Sequence, residues 1–174
     1  TLLTLSEKRK VIAQRLSHSK YTAPHYYLKI SAVVDNLLES RKQYNKNHTD
    51  TPLSLNAFII KLVAESIKRN PVINTSWTDT AIIQHNSVHI ALAVAQEDGL
   101  ITPVVRSCEQ KGIAEINTEI KTLIDKARTG QLLPEEYSGS TFTISNLGSF
   151  DIDEFTAIIN PPEAAILAIG KAAK

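Results

Sequence analysis

The sequence predicts an α/β chain of the α+β type, in which a mixed central sheet carries helices packed against it. Two stretches, 54–67 and 113–127, repeat apolar side chains at steps of three and four, the helical period. Several short apolar or alternating runs, among them 88–95, 141–145 and 165–169, read as strands. Helices and strands mix without the regular alternation that a doubly wound parallel sheet requires.

Residues 6–20 predict the first helix. Ser6 can cap it, Glu7 suits its first turn, and Ile12 and Leu16 recur at helical spacing. Pro24 ends it. His25–Val34 alternates loosely, with Tyr26, Leu28, Ile30 and Ala32 on one side, and predicts a strand. Asp35 is expected to cap a short polar helix through about Tyr44, and Asn45–Pro52 reads as a loop. Ser54 opens the clearest helix, whose stripe runs through Leu55, Phe58, Ile59, Leu62, Val63, Ser66 and Ile67 until Asn70-Pro71 stops it. Strands follow at Ile73–Trp77, Ala81–Gln84 and Val88–Ala95, the last apolar enough to be buried on both faces. Asp98-Gly99 predicts a turn, and Leu100–Arg106 is extended. Ile113, Ile116, Ile120, Leu123, Ile124 and Ala127 mark a second amphipathic helix, and Gly130 stands where a left-handed cap belongs. Pro134–Tyr137 predicts one turn of helix. Strands resume at Thr141–Ser145, Thr156–Ile159 and Ala165–Ile169.

Composition narrows the function classes. The 174 residues, 43% hydrophobic, suit one domain over 1–174. Net charge is +1, from 19 basic and 18 acidic side chains with the signs interspersed, which argues against nucleic acid or a membrane surface as partner. Lys8-Arg9-Lys10 is a tight basic cluster and reads as a solvated or interface-facing helix turn. The single cysteine, Cys108, excludes a disulfide within the chain, and no zinc cluster is expected, which suits a reducing compartment. No apolar run approaches bilayer length and no signal peptide is apparent. The chain opens on Thr1, and Ala164–Gly170 reads as a buried strand close to Lys174. Further sequence on both sides is therefore expected.

The run Thr141-Phe142-Thr143-Ile144-Ser145-Asn146-Leu147-Gly148 carries the chemistry. It reads as a strand that ends abruptly with Ser145 at its mouth, where a hydroxyl can donate to an oxyanion during acyl transfer. No histidine follows residue 89 to serve Ser145 as a base. Asn146 either shapes the turn with Gly148 or touches substrate. His25 is expected to be packed and hydrogen-bonded. His85 and His89 are expected to be structural, and His18 and His48 exposed. Cys108 is expected to be an inert thiol.

Several segments, taken together, resemble a known family. They are Arg9–Leu16, Pro24-His25-Tyr26-Tyr27, Asn56–Lys61, Asp98–Val105, Thr141–Gly148 and Ile159-Asn160-Pro161-Pro162-Glu163-Ala164. In that order they resemble the catalytic core domain of the dihydrolipoamide acyltransferases, the E2 components of 2-oxo acid dehydrogenase complexes. Asn74–Trp77 and Thr141–Gly148 lean toward the pyruvate dehydrogenase, or acetyltransferase, branch.

The resemblance implies a chloramphenicol-acetyltransferase-like two-layer fold, C-terminally truncated here. It implies a homotrimer that assembles into a 24-mer or 60-mer core, a hollow cube or dodecahedron. It also implies acetyl transfer from dihydrolipoamide to coenzyme A at the trimer interface, without metal. The lipoyl group would ride on a domain outside this chain. Lipoyl domains and the E1 and E3 subunits would be partners, in bacterial cytoplasm or the mitochondrial matrix. Ser145 would be the oxyanion donor. Leu100, Ile101 and Thr102 would border the substrate channel, or else form a glycine turn and a strand start. Arg41 would sit near the coenzyme's phosphates, or else be a solvated helix arginine. The family's base is a histidine in a His-x-x-x-Asp-Gly motif, which the 174 residues do not contain. Alone they are expected to be inactive. The alternative is a non-catalytic core subunit like the dihydrolipoamide dehydrogenase-binding protein (protein X). Ala57 departs from the acidic residue that many relatives carry after the asparagine.

Overall fold

The structure, a computed structural model, describes residues 2, 4–97 and 99–172. Asp98 of the expected turn and Lys174 lie outside them. Helix α1 (Glu7–Thr22) begins where Ser6 accepts the Arg9 N–H on its hydroxyl, and it ends before Pro24. Helix α2 (Asp35–Asn47) runs past the expected end at Tyr44; Asp35 is its first helical residue rather than its cap. Helix α3 (Leu55–Arg69) begins where Ser54 Oγ accepts the Ala57 N–H. Helix α4 (Ile113–Thr129) closes on Gly130 at φ +69°, whose left-handed turn lets Gln131 N–H reach Lys126 O at 2.8 Å.

The strands are short: β1 (Thr75–Trp77), β2 (Ile82–Gln84), β3 (Ile90–Leu92), β4 (Val94–Gln96), β5 (Gly99–Ile101), β6 (Val104–Val105), β7 (Phe142–Asn146) and β8 (Ile166–Ile169). The central sheet has the order β6-β3-β7-β8 and is mixed, as expected. β3 runs antiparallel to β6 and parallel to β7, and β7 runs parallel to β8. β1–β2 and β4–β5 are separate antiparallel hairpins.

One face of the sheet is the core. Ile90, Leu92, Val105, Phe142 and Ile144 meet Ala57, Ile60, Ala64 and Ile67 of α3 and Ile116, Ile120 and Leu123 of α4. Each fully buried Ile contributes about 1.5–3 kcal/mol by leaving water. Along β7 the side chains alternate, so Thr143 and Ser145 point to the opposite face. There the segment after Asp153 runs back along α1: Ser19 donates its hydroxyl to Ile159 O at 2.6 Å, and the Arg15 guanidinium donates to Pro161 O at 3.3 Å.

Four expectations change. No strand forms over His25–Val34, because a strand needs a hydrogen-bonding neighbour and the described residues supply none. The segment stays irregular, with Tyr26 82%, Ile30 89% and Val33 92% exposed. No strand forms over Thr156–Ile159 either; Ile159 bonds to side chains instead, its carbonyl accepting from Ser19 of α1 and its N–H donating to His25 Nε2. Val88–Ala95 is not one strand. It breaks at Ala93 into β3, buried throughout, and β4, which joins a different sheet. On α3 the buried face is Ala57, Ile60, Ala64 and Ile67, about one residue round from the expected stripe, and Leu62 is left 55% exposed. In addition β8, expected as a central buried strand, is an edge strand with Leu167 partly exposed.

Candidate functional site

Ser145 sits where the central sheet forks. On one side it is paired with Ala168 of β8. On the other, β3 is ending: Ala93 N–H donates to Ile144 O at 2.9 Å, and Leu92 N–H donates to Pro103 O at 3.0 Å. From Val94 the chain leaves to pair with β5. Ser145 is therefore half-buried, at the point where its neighbouring strand peels away. Among the described residues its hydroxyl makes no hydrogen bond, so it remains available as a donor.

Asn146 faces the other way. Alternation turns it toward α3, where its Nδ2 donates to Asn56 Oδ1 at 2.8 Å and its Oδ1 accepts the Gly148 N–H at 2.9 Å. Both ends of the amide are engaged within the chain, which locks the end of β7 to the first turn of α3. The fold needs this small loop. A Cβ on Gly148 would come within 2.9 Å of Gly170 O, so a side chain there would push the end of β7 off the end of β8.

Leu100 and Ile101 lie on β5, opposite Ala95 and Val94 of β4. The hairpin rests on α1, where Gly99 leaves no room for a Cβ against Ile12. Leu100 is exposed, and Ile101 and Thr102 are half-buried. Thr102 precedes the Pro103 that accepts from Leu92, so Thr102 and Ser145 flank the two sides of the β3 end. Arg41 lies elsewhere: its Nε donates to Leu53 O at 2.8 Å, and Asn45 brackets Leu53 with two further bonds. That ties α2 to the loop entering α3.

No histidine bonds to Ser145. His25 is locked between Ala23 O at Nδ1 and the Ile159 N–H at Nε2, with the ring proton on Nδ1. His85 Nε2 meets the Ser76 hydroxyl at 2.8 Å, and His89 Nδ1 accepts the Ser107 N–H at 3.0 Å. Burial is the main cause that lowers the pKa of His89, which favours this neutral acceptor role. His48 stacks on Tyr44 and stays exposed. Burial pushes the Cys108 thiol up to about 12, and its Sγ donates to Val105 O, so the thiol is inert. Among the described residues no three His, Cys, Asp or Glu side chains group to hold a metal. A cavity of about 470 Å³ opens between Arg106, Lys111, Glu119 and Glu136, and another of about 150 Å³ beside Asn74 and His85; Ser145 lines neither.

Sequence reading missed two buried polar groups on the Ser145 face, Thr143 and Glu163. The signal was present, since Glu163 is a lone acid in the otherwise apolar run from Pro161 to Ile169.

The family model described as the 2-oxoacid dehydrogenases acyltransferase catalytic domain matches residues 1–174. The chain belongs to this acyltransferase family. Among relatives of the acyltransferase, the pyruvate dehydrogenase acetyltransferase component of Rickettsia felis is 48% identical over 169 residues, covering 95% of this chain and 41% of the relative. The mitochondrial counterpart of Dictyostelium discoideum is 47% identical over 165 residues, covering 95% of this chain and 26% of the relative. The chain thus spans about two fifths or less of the length of these curated relatives. Among solved structures, the dihydrolipoamide acetyltransferase of Azotobacter vinelandii superposes with a TM-score of 0.96 at 31% identity, over 99% of this chain and 73% of that one. That enzyme was studied for the roles of a serine, a histidine and an asparagine in its catalytic mechanism. The cubic core of a pyruvate dehydrogenase multienzyme complex also superposes with a TM-score of 0.96, at 31% identity and over the same shares of both chains. These likenesses bear out the two-layer acyltransferase fold and the acetyltransferase branch of the family. No helix among the described residues is long and apolar enough to cross a membrane.

Proposed function

We propose that this protein supplies the acetyltransferase core of a pyruvate dehydrogenase complex, moving an acetyl group from dihydrolipoamide to coenzyme A. Ser145 carries the reading. As the coenzyme thiol attacks the acetyl thioester, the carbonyl oxygen becomes an anion, and a hydroxyl already aimed at it stabilises that charge. The uncommitted hydroxyl at the sheet fork suits this role, with Leu100, Ile101 and Thr102 bordering the acyl channel beside it. Arg41, away from Ser145 and bonded through Nε to Leu53 O, keeps the role of meeting the coenzyme's phosphates only on the family resemblance. Asn146 acts by shaping the strand end.

A thiol with an ordinary pKa near ~8.5 must lose its proton to attack. No histidine of residues 1–174 bonds to Ser145 within the chain, and the resemblance supplies the base as the histidine of the family's His-x-x-x-Asp-Gly motif, outside these residues and brought by a neighbouring subunit. The exposed apolar segment from Tyr26 to Val33, which finds no strand to pair with among the described residues, supports a homotrimer. The cubic core of one relative supports assembly into a larger core, and the family resemblance makes that core a 24-mer or a 60-mer. The lipoyl group arrives on a domain outside these residues, and E1 and E3 are the further partners. Bacterial and mitochondrial relatives support a location in bacterial cytoplasm or the mitochondrial matrix.

The test is acetyl transfer between acetyl-coenzyme A and dihydrolipoamide by the full-length protein. Ser145→Ala is expected to lower kcat by roughly 10²–10³ with KM little changed. Wild-type turnover no faster than background would defeat the reading and favour a non-catalytic core subunit.

A further inference from the structure

Three side chains line up across the forked end of the central sheet. β7 and β8 run parallel with Ser145 beside Ala168. On the other flank Leu92 stands beside Ile144, and the Ala93 N–H continues that ladder by donating to Ile144 O at 2.9 Å. Ala93 is therefore the neighbour of Ser145 on the β3 side. Residues in register on parallel strands point to one face, so Ala93, Ser145 and Ala168 form a row, each about 4.8 Å from the next.

The sheet face opens at this row. One step inward along it, Ala91 is 0% exposed and Thr143 1%, whereas Ala93, Ser145 and Ala168 are all half-buried. The two ends of the row differ. Two residues past Ala168, Gly170 leaves no room for a Cβ against Asp153 O, and the Lys171 N–H donates to Ile152 O at 2.8 Å. The backbone at Ile152 and Asp153 thus closes the Ala168 end. The Ala93 end stays open, because from Val94 the chain turns away to pair with β5.

We propose that Ala168 is a specificity-determining residue, whose methyl group sets the size of the acyl chain accepted beside Ser145 and admits a short, unbranched one. The inference rests on the reading of Ser145 as the oxyanion donor. A thioester carbonyl carbon is trigonal. With its oxygen aimed at the Ser145 hydroxyl, its sulfur and its acyl chain diverge toward the two flanks. The sulfur carries a long arm and takes the open Ala93 flank, which leads past Thr102. The acyl chain ends within the site and takes the closed flank, against Ala168. Transfer forms a C–S bond to the incoming thiol and breaks the bond to the leaving one, and the proton of the first thiol ends on the second. A branch next to the carbonyl would meet the Ala168 wall as the carbon becomes tetrahedral, so the restriction falls on the transition state.

The experiment measures kcat/KM for acetyl-, propionyl- and isobutyryl-coenzyme A with dihydrolipoamide, using the full-length protein. Wild type, Ala168→Val, Ala168→Gly, Ala93→Val and Ser145→Ala are compared, with urea midpoints to show that each is folded. One carbon in an apolar site changes discrimination by about tenfold or more. Ala168→Val is therefore expected to lower the isobutyryl-to-acetyl ratio about tenfold or more, and Ala168→Gly to raise it by a similar factor. Ala93→Val should lower all three donors by one common factor. A merely structural role for Ala168 would also scale the three donors together. Should the valine variant fail to fold, the glycine variant decides alone. Ratios in the Ala168 variants within twofold of wild type, in a protein that Ser145→Ala inactivates, would overturn the role of Ala168 and leave that of Ser145. A shifted ratio with full turnover in Ser145→Ala would do the reverse. A ratio that moves in Ala93→Val but not at position 168 would overturn the assignment of the flanks, and no transfer by wild type would overturn both readings.

Discussion

Replacing Asn146 with alanine separates two roles that one residue can play. The side chain donates to Asn56 at 2.8 Å and accepts from Gly148 at 2.9 Å, so the substitution deletes two hydrogen bonds. Each such bond is worth about 1 kcal/mol net, and a half-buried partner left unpaired raises its share. The expected loss is about 2–3 kcal/mol of folding stability, a factor of roughly 30–150 in the unfolding constant. Urea denaturation of wild type, Asn146→Ala, Asn56→Ala and the double variant gives the comparison through midpoints at constant slope. The double variant should lose less than the sum of the single ones, because the two amides share one bond. Asn146→Asp should lose little: it still accepts from Gly148, and the Asn56 amide can turn to donate to the new carboxylate. KM for coenzyme A should stay within about twofold throughout. A stability change below about 0.5 kcal/mol combined with a large rise in KM would refute the latch and return Asn146 to the substrate.

Three further outcomes follow from buried groups. Cys108, with its thiol at about 12, should resist alkylation in the native protein at mildly alkaline pH and react at full rate once the chain is unfolded; equal rates in both states would contradict its burial. Ile120→Ala, at a fully buried position between α4 and the sheet, should cost about 2–5 kcal/mol in a denaturant titration, and less than 1 would show that the core is not packed as described. The raised carboxyl of Glu163 gives stability that is full below the ordinary 4.5 and declines as pH climbs through its higher folded-state value. Thermal melts of Glu163→Gln should therefore lose less between mildly acidic and alkaline pH than those of wild type, and parallel curves would argue against the shift.

What the sequence disclosed was local. Ser6, Ser54 and Gly130 announce three helix ends because capping involves residues a few positions apart, and each cap formed. The apolar run at 88–95 announced one strand covered on both faces, and only its part at 90–92 is such a strand. What remained hidden depends on partners distant in sequence. Nothing in the alternation at 25–34 says whether a neighbouring strand exists. Nothing in 88–95 says that Ala93 is where one sheet ends and another starts. On α3, the small apolar Ala57 and Ala64 carry little weight in a reading by bulk, yet they let the helix close on the sheet and so decide which side is buried. At the site, Ser145 and Asn146 stand out as letters, but only the register with β3 and β8 reveals that they look opposite ways. Glu163 was visible within a motif, while its burial and its bond to Ser140 depend on a returning segment.

The opposite aim of residues 145 and 146 also bears on inheritance. Because a pleated strand sends neighbouring letters to different environments, selection for chemistry and selection for folding act on adjacent codons without competing for the same atom. A lineage that gave up turnover could alter the first and keep the second, retaining a scaffold that still builds.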